Sequence, residues 1–299
     1  MTLVLAMLLD AAFGEPKAIW GRFAHPAVLM GRVVAALDAR LNSGKMRRAK
    51  GAAAMAAMAL GAFALGHVIA AVPDFGVLEV VLAAILLAQK SLVDHVRAVG
   101  DALRLSLPAG RRAVAMIVGR DTAAMEQPAV ARAAIESAAE NLSDGVIAPA
   151  FWFLVGGLPL MLVYKITNTA DSMIGHRTPR HEQFGWAAAR FDDLLNLVPA
   201  RLTAVLIALS HGWLDARPIL RDAPLHRSPN AGWPEAAMAV VLNVALSGPR
   251  AYHGVMSDFP WVWAEGRRDI GPEEIDAACR VLWRAWGMML AIAIVVALI

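Results

Sequence analysis

Between residues 135 and 193 the chain gathers side chains that can hold a divalent cation and handle phosphate. Glu136-Ser-Ala-Ala-Glu140-Asn141-Leu-Ser-Asp144-Gly145 comes first, then Asn168-Thr-Ala-Asp171-Ser172, then Arg190-Phe-Asp192-Asp193. Glu136, Glu140 and Asp144 are spaced four apart, so a helix would align them in one acidic stripe. Like charges so placed repel, and no lysine is interleaved to relieve them. A Mg²⁺ ion would do so, because hard divalent cations take carboxylate and amide oxygens and keep several waters. The ordinary alternative is a solvated helix face capped near Gly145. Asn168 and Asp171 stand three apart and would otherwise serve as helix caps, and Asp192, Asp193 and Asn196 could form a polar helix start. Arg177, Arg180, Arg190 and Arg201 could clamp phosphate oxygens, since a guanidinium binds them bidentately. Ser228-Pro-Asn230-Ala-Gly232-Trp-Pro-Glu235 is a turn-rich segment whose Asn230 and Glu235 would suit a substrate loop.

The elements that must position these groups are apolar. The chain has 299 residues, of which 58% are hydrophobic and 18% charged, where a soluble domain carries about a quarter charged residues. Such a balance fits an all-α integral membrane protein with several transmembrane and re-entrant helices. Gly51–Val72 is the clearest span, interrupted only by His67, and Val77–Gln89 could complete a hairpin with it. Val146–Ile166 is long enough to cross, yet Gly156-Gly157-Leu158-Pro159 breaks its middle. A re-entrant path bent there would keep the polar groups on one side, which is allowed where protein or water covers the bent backbone. Leu197–Leu214 and Val281–Ile299 are further apolar segments, and Ala236–Leu246 is too short to span alone. Met1–Ala12 lacks a basic leader and carries Asp10, so it reads as a retained helix. Strand signals are weak throughout.

Lys45, Arg47, Arg48 and Lys50 precede the first clear span and place that side in the cytoplasm. The hairpin would return the arginines at 97, 104, 111, 112, 120 and 132 to the same side, and the active site with them. A multi-pass protein of the cell membrane is the expectation, undivided over residues 1–299. A net charge of +3, with no basic stripe interleaved with aromatics, argues against nucleic acid. The one cysteine, Cys279, excludes an intrachain disulfide and reads as an apolar-face residue. No P-loop, Rossmann fingerprint, nucleophile elbow or H-E-x-x-H motif occurs. ATP, if used, is not held in a P-loop.

The acidic block through Pro149, Asn168 to Gly175, Phe184 to Asp193 and Pro199-Ala-Arg-Leu-Thr203 together resemble the adenosylcobinamide-phosphate synthases, the CbiB/CobD family of cobalamin biosynthesis. Asp10 to Pro16, His25-Pro26 with Met30-Gly31-Arg32, Gly119-Arg-Asp-Thr122, and Ser228 to Met238 followed by Gly248-Pro249 extend the resemblance in order along nearly the whole chain. His176 stands where the family more often has tyrosine, which argues against an acid–base role for it. The resemblance implies a membrane ligase that joins a propionate of adenosylcobyric acid to (R)-1-amino-2-propanol or its O-phosphate, driven by ATP and Mg²⁺. The corrinoid is then the substrate, and a homo-oligomer or contacts with other enzymes of the pathway are conceivable. On that footing Glu136, Glu140, Asp144 and Asp171 are assigned to Mg²⁺, with Asn141 and Asn168 assisting. Arg177, Arg190 and Arg201 are assigned to phosphates, Asn230 to substrate, and Asp192 or Asp193 to the proton of the attacking ammonium. Two other classes use similar residues. A membrane prenyl transferase would need a second aspartate-rich motif on a facing helix, and an ion-coupled transporter would prefer isolated acids within spans.

Overall fold

The computed structural model describes residues 1–16, 20–252 and 254–299 and is helical over most of them. The chain folds into two compact units. One comprises Met1–Ala88, Ala148–Leu197 and Ala293–Ile299, and the other Gln89–Ile147 and Val198–Ile292. Three helical stretches, Arg47–Ala70, Gln127–Ile174 and Pro272–Leu298, are long and apolar enough to cross a membrane. This is an all-α membrane protein.

In the first unit, α1 (Thr2–Phe13) is the retained N-terminal helix. Helix α2 (Pro26–Leu41) starts where Pro26 fixes φ and the His25 ring accepts the Ala27 amide at 3.1 Å. Helix α3 (Arg47–Ala70) is built largely of Ala, Gly and Met, small residues that let membrane helices approach closely. Helix α4 (Val77–Leu86) packs chiefly on α1.

The next element of this unit in chain order, Ala148–Ile174, loses helical geometry at Gly156 (φ −155°, ψ 29°) and Gly157 (φ 66°, ψ −161°). The second conformation is one that only glycine adopts readily, so the Gly-Gly-Leu-Pro signal marks a real break. Ala148 and Trp152 before the break share a cluster with Val163, Tyr164 and Leu195 after it. A further core joins Val34, Met55, Met58, Ile166, Ile174 and Phe184. A short helix, Trp186–Leu195, follows in the same unit.

The second unit holds α5 (Gln89–Leu105), α6 (Leu107–Val114) and α7 (Gln127–Leu142). Helix α7 does not cap near Gly145. It passes instead through a π-turn, Ser143–Ile147, into the Ala148–Ile174 helix, which is α8; Trp186–Leu195 is then α9. Helices α10 (Leu197–Leu209), α11 (Arg217–Asp222) and α12 (Gly232–Leu242) follow. Two small antiparallel ribbons come next: β1 (Leu246–Ser247) with β4 (Trp261–Val262), and β2 (Arg250–Tyr252) with β3 (Val255–Ser257). Helix α13 (Pro272–Leu298) starts well before the apolar segment visible in the sequence. The Cys279 thiol is buried near the Val93 carbonyl.

Candidate functional site

The polar residues singled out in the sequence form a cluster in each unit. In the first, Tyr164, Asn168 and Asp171 are spaced four and three along α8, and Asp192 and Asn196 are four apart along and just beyond α9. Asn168 Nδ2 donates to Asp192 Oδ1 at 3.3 Å, and Asn196 Nδ2 donates to Asp192 Oδ2 at 2.9 Å. The Tyr164 hydroxyl donates to Asn196 Oδ1 at 3.1 Å. Asp192 is buried at the centre of this network. Burial pushes its carboxyl up to about 7, the charge of Asp171 adds to the rise, and the two amide donors oppose it. Burial also raises Asp193, against the pull of Arg190 and Arg177. Arg190 lies 3.5 Å from Asp193 on the exposed side of α9.

Two glycines make this packing possible. At Gly175 a side chain would strike the Asp171 carboxylate, and at Gly185 it would strike the carbonyl of Ile174. The loop between α8 and α9 is pinned by Asp38, which the sequence reading missed. Arg180 Nε donates to Asp38 Oδ2 at 3.1 Å, Asn42 Nδ2 donates to Oδ1 at 2.7 Å, and His181 lies 3.6 Å away. Arg47 and Asn42 donate in turn to the Arg180 carbonyl.

In the second unit Glu136 is buried and fully engaged. Its Oε1 accepts the Ser247 amide at 2.7 Å, while Oε2 accepts Arg120 and, at 3.2 Å, Arg250. Glu140 and Asn141 face outward, and Asp144 sits half-buried in the π-turn. Asn141 Nδ2 is turned back onto the Ser137 carbonyl at 2.9 Å. The expected stripe is therefore divided by depth: Glu136 is buried among guanidinium groups, whereas Glu140, one turn on, is exposed. Glu235 on α12 is also buried, 3.8 Å from His226. Burial raises it well above the ordinary carboxylate range, and the nearby charge of Glu136 acts the same way. Burial and the Arg250 charge lower His226. Arg201 and Asn230 do meet: Arg201 donates to Asn230 Oδ1 at 3.1 Å and lies 4.5 Å from the Trp233 ring centre. Arg201 also borders a cavity of about 240 Å³ whose wall includes Trp213, Asp215 and Trp233.

A family model described as CobD/Cbib protein matches residues 3–282. The chain belongs to that family. It is 49% identical to the cobalamin biosynthesis protein CobD of Rhizobium meliloti (strain 1021), over 97% of this chain and 94% of the relative. The protein of the same name from Brucella suis biovar 1 (strain 1330) is 45% identical over 100% and 97% of the two chains. That of Rhodobacter capsulatus is 44% identical over 99% and 97%. No solved structure matches the chain.

Both clusters fall inside the matched CobD/Cbib region. The carboxylates expected at one Mg²⁺ divide between the units: Asp171 belongs to the first, and Glu136, Glu140 and Asp144 to the second. Among the described residues no three His, Cys, Asp or Glu converge closely enough to hold a metal by themselves. The sequence reading also missed Arg120, Arg132 and Arg250 as partners of the acidic block. Only the spacing of Arg132 and Glu136, four residues apart on α7, was visible there.

Proposed function

We propose that this CobD/Cbib protein contributes to cobalamin biosynthesis as an ATP- and Mg²⁺-dependent amide synthase. It would join a propionate carboxylate of adenosylcobyric acid to (R)-1-amino-2-propanol or its O-phosphate. The observation that carries the reading is Asp192, a buried carboxyl held near neutrality beside Asp171 and between two amides. A carboxylate is a poor electrophile. Its oxygen therefore attacks the terminal phosphorus of ATP, releasing ADP and leaving an acyl phosphate. The amine then attacks the acyl carbon, the C–O bond to phosphate breaks, and inorganic phosphate departs. The ammonium must first lose a proton, and an acceptor poised near pH 7 suits that transfer. Asp192 takes this role, with Asn168 and Asn196 fixing its orientation.

Mg²⁺, when bound, supplies charge neutralisation on the phosphates. The donor chemistry of the first unit fits it: Asp171 and Asn168 offer a carboxylate and an amide, and Asp171 already burdens Asp192 with like charge. Mg²⁺ commonly rests on one or two carboxylates plus substrate phosphates, so a closed three-carboxylate cage is not required. Glu140 and Asp144 remain a second candidate pair of donors, whereas Glu136 is committed to arginines. Arg177 and Arg190, on the exposed edge of the first cluster, suit phosphate oxygens, and Arg201 with Asn230 suits a substrate group at the tryptophan-lined cavity. Holding amine and acyl phosphate in attack geometry could contribute about 7–11 kcal/mol towards the barrier. The active side would face the cytoplasm.

One geometric point favours a second reading. The prenyl-transfer alternative asked for aspartates on a facing helix, and Asp192-Asp193 on α9 pack beside Asn168 and Asp171. The corrinoid reading is preferred because the matching relatives are cobalamin biosynthesis proteins. Purified protein in detergent, given adenosylcobyric acid, Mg-ATP and aminopropanol phosphate, should form the amide seen by mass spectrometry. The product should require ATP and be lost in Asp171→Asn. Full Mg²⁺-dependent turnover in both Asp171→Asn and Glu140→Gln would overturn the metal assignment. Folded, corrinoid-binding protein that yields no amide with either amine would overturn the ligase.

A further inference from the structure

The second unit carries more positive charge around Glu136 than that carboxylate can use. Arg120 and Arg250 are both mostly buried and both bond to it. Arg132, one turn earlier on α7, lies with its guanidinium 4.7 Å from the Trp261 ring centre, and Arg268 lies 4.4 Å from the same centre. Arg250 is also 4.9 Å from the Phe259 ring centre. The two ribbons bring these groups together. Ser247, in a left-handed backbone conformation (φ 61°), gives its amide to Glu136, and the chain then returns through Arg250 to Trp261.

Pairing is incomplete. A terminal nitrogen of Arg132, Nε of Arg250 and Oε1 of Glu235 are buried without a hydrogen-bond partner among the described residues. A buried polar atom left without a partner is costly, more so when charged, so three in one neighbourhood point to a missing ligand. The charge balance says what kind. Burial and the charge of Glu136 raise Glu235 well above the ordinary carboxylate range, so its own negative charge is disfavoured beside these arginines. Four guanidiniums then stand around Glu136, with the exposed Glu140 the next carboxylate in reach, and positive charge remains in excess. A monoanionic carboxylate leaves that excess largely unmet, whereas a phosphoryl group brings up to two charges and three acceptor oxygens. Arg268 is exposed while Arg120 and Arg250 are not, so the group enters from the Arg268 side.

We propose that Arg120, Arg132, Arg250 and Arg268, with the Glu235 carboxyl and the Trp261 ring, form a binding site for a phosphoryl group. The site stands on these contacts; which phosphorylated compound fills it, the nucleotide or aminopropanol O-phosphate, rests on the reaction proposed above.

The test is calorimetric titration of the full chain in detergent with inorganic phosphate, against chloride at matched ionic strength. Saturable phosphate binding should weaken ten-fold or more in Arg132→Gln and in Arg268→Gln, and stay unchanged in Arg217→Gln. Arg268 is exposed and pairs with no carboxylate among the described residues, so that variant keeps its fold if Arg132→Gln does not. Absence of saturable binding, or equal binding in wild type and both variants, overturns the site. Parallel titrations with ATP and with aminopropanol O-phosphate identify the source, since the true occupant loses affinity in Arg268→Gln and the other does not. If inorganic phosphate binds as expected and neither compound does, the site stands and the proposed reaction falls.

Discussion

The side-chain amide of Asn168, on α8, reaches the buried carboxyl of Asp192, on α9, at 3.3 Å. Asn196 holds the other oxygen, so Asp192 keeps its geometry while burial and Asp171 hold its proton on until about pH 7. Turnover limited by this base should climb with pH through about 7 and then level. Asp192→Asn keeps the shape and removes the base, so kcat should fall by about 10²–10⁴ and the limb should vanish. The stability sign is opposite. A folded-state value near 7 against 3.8 unfolded favours folding fully below 3.8, and the benefit is lost as pH rises through 7. Melting of wild type should therefore fall from pH 5 to 8 relative to Asp192→Asn, and parallel curves would sink the assignment.

Asp38 behaves in the reverse sense. Burial alone would raise it, but hydrogen bonds from Arg180 and Asn42 and the neighbouring positive charges outweigh that and lower it. Its contribution is present above the unfolded value of 3.8 and lost as pH falls through the depressed one. Asp38→Asn should thus free the loop around Arg180 at neutral pH while wild type frees it only in acid. Limited proteolysis with a trypsin-like enzyme should cut the variant faster after Arg177 or Arg180, and equal cutting rates at pH 7 would count against the pin.

Small residues at the first cluster are a matter of clearance. A methyl group on Gly185 would collide with the Ile174 carbonyl, and one on Gly51 with the carbonyl of Phe184. Backbone cannot yield as a flexible side chain would. Each Gly→Ala change should cost about 1–3 kcal/mol, the usual range for overpacking. Thermal unfolding in detergent should show lower midpoints for both, whereas Gly61→Ala, facing open space, should leave the midpoint near wild type.

What the sequence disclosed followed from range along the chain. The span from Gly51 onward, the break at Gly156-Gly157 and the acidic block are local patterns, and each is present in the fold. Pairings set by tertiary packing were out of reach. Glu136 finds Arg120 and Arg250 from 16 and 114 residues away, and Arg180 meets Asp38 across 142. The ribbons between Leu246 and Val262 escaped because strands of two or three residues are too short to display a period-2 pattern. The π-turn after Leu142 also defeated the simple stripe, since it changes the register between Glu140 and Asp144 and the rest of the motif.

Glu136 and Glu235 put two buried glutamates of one unit to opposite uses, and the matching amide substitution separates them. Glu136 accepts two guanidiniums and a backbone amide, a pattern that needs carboxylate oxygens on every side. Glutamine offers one acceptor and turns an NH₂ towards an arginine. The uncompensated guanidiniums should then cost about 3–5 kcal/mol, as when one partner of a buried pair is removed. Glu235 has its carboxyl raised by burial, which favours the neutral acid, and glutamine is a neutral amide of nearly the same shape. Glu235→Gln should shift stability by less than about 1 kcal/mol, the scale of an isosteric change. Denaturant unfolding in matched detergent reads both numbers, and a Glu235→Gln loss as large as that of Glu136→Gln would mean that Glu235 carries its charge in the folded protein.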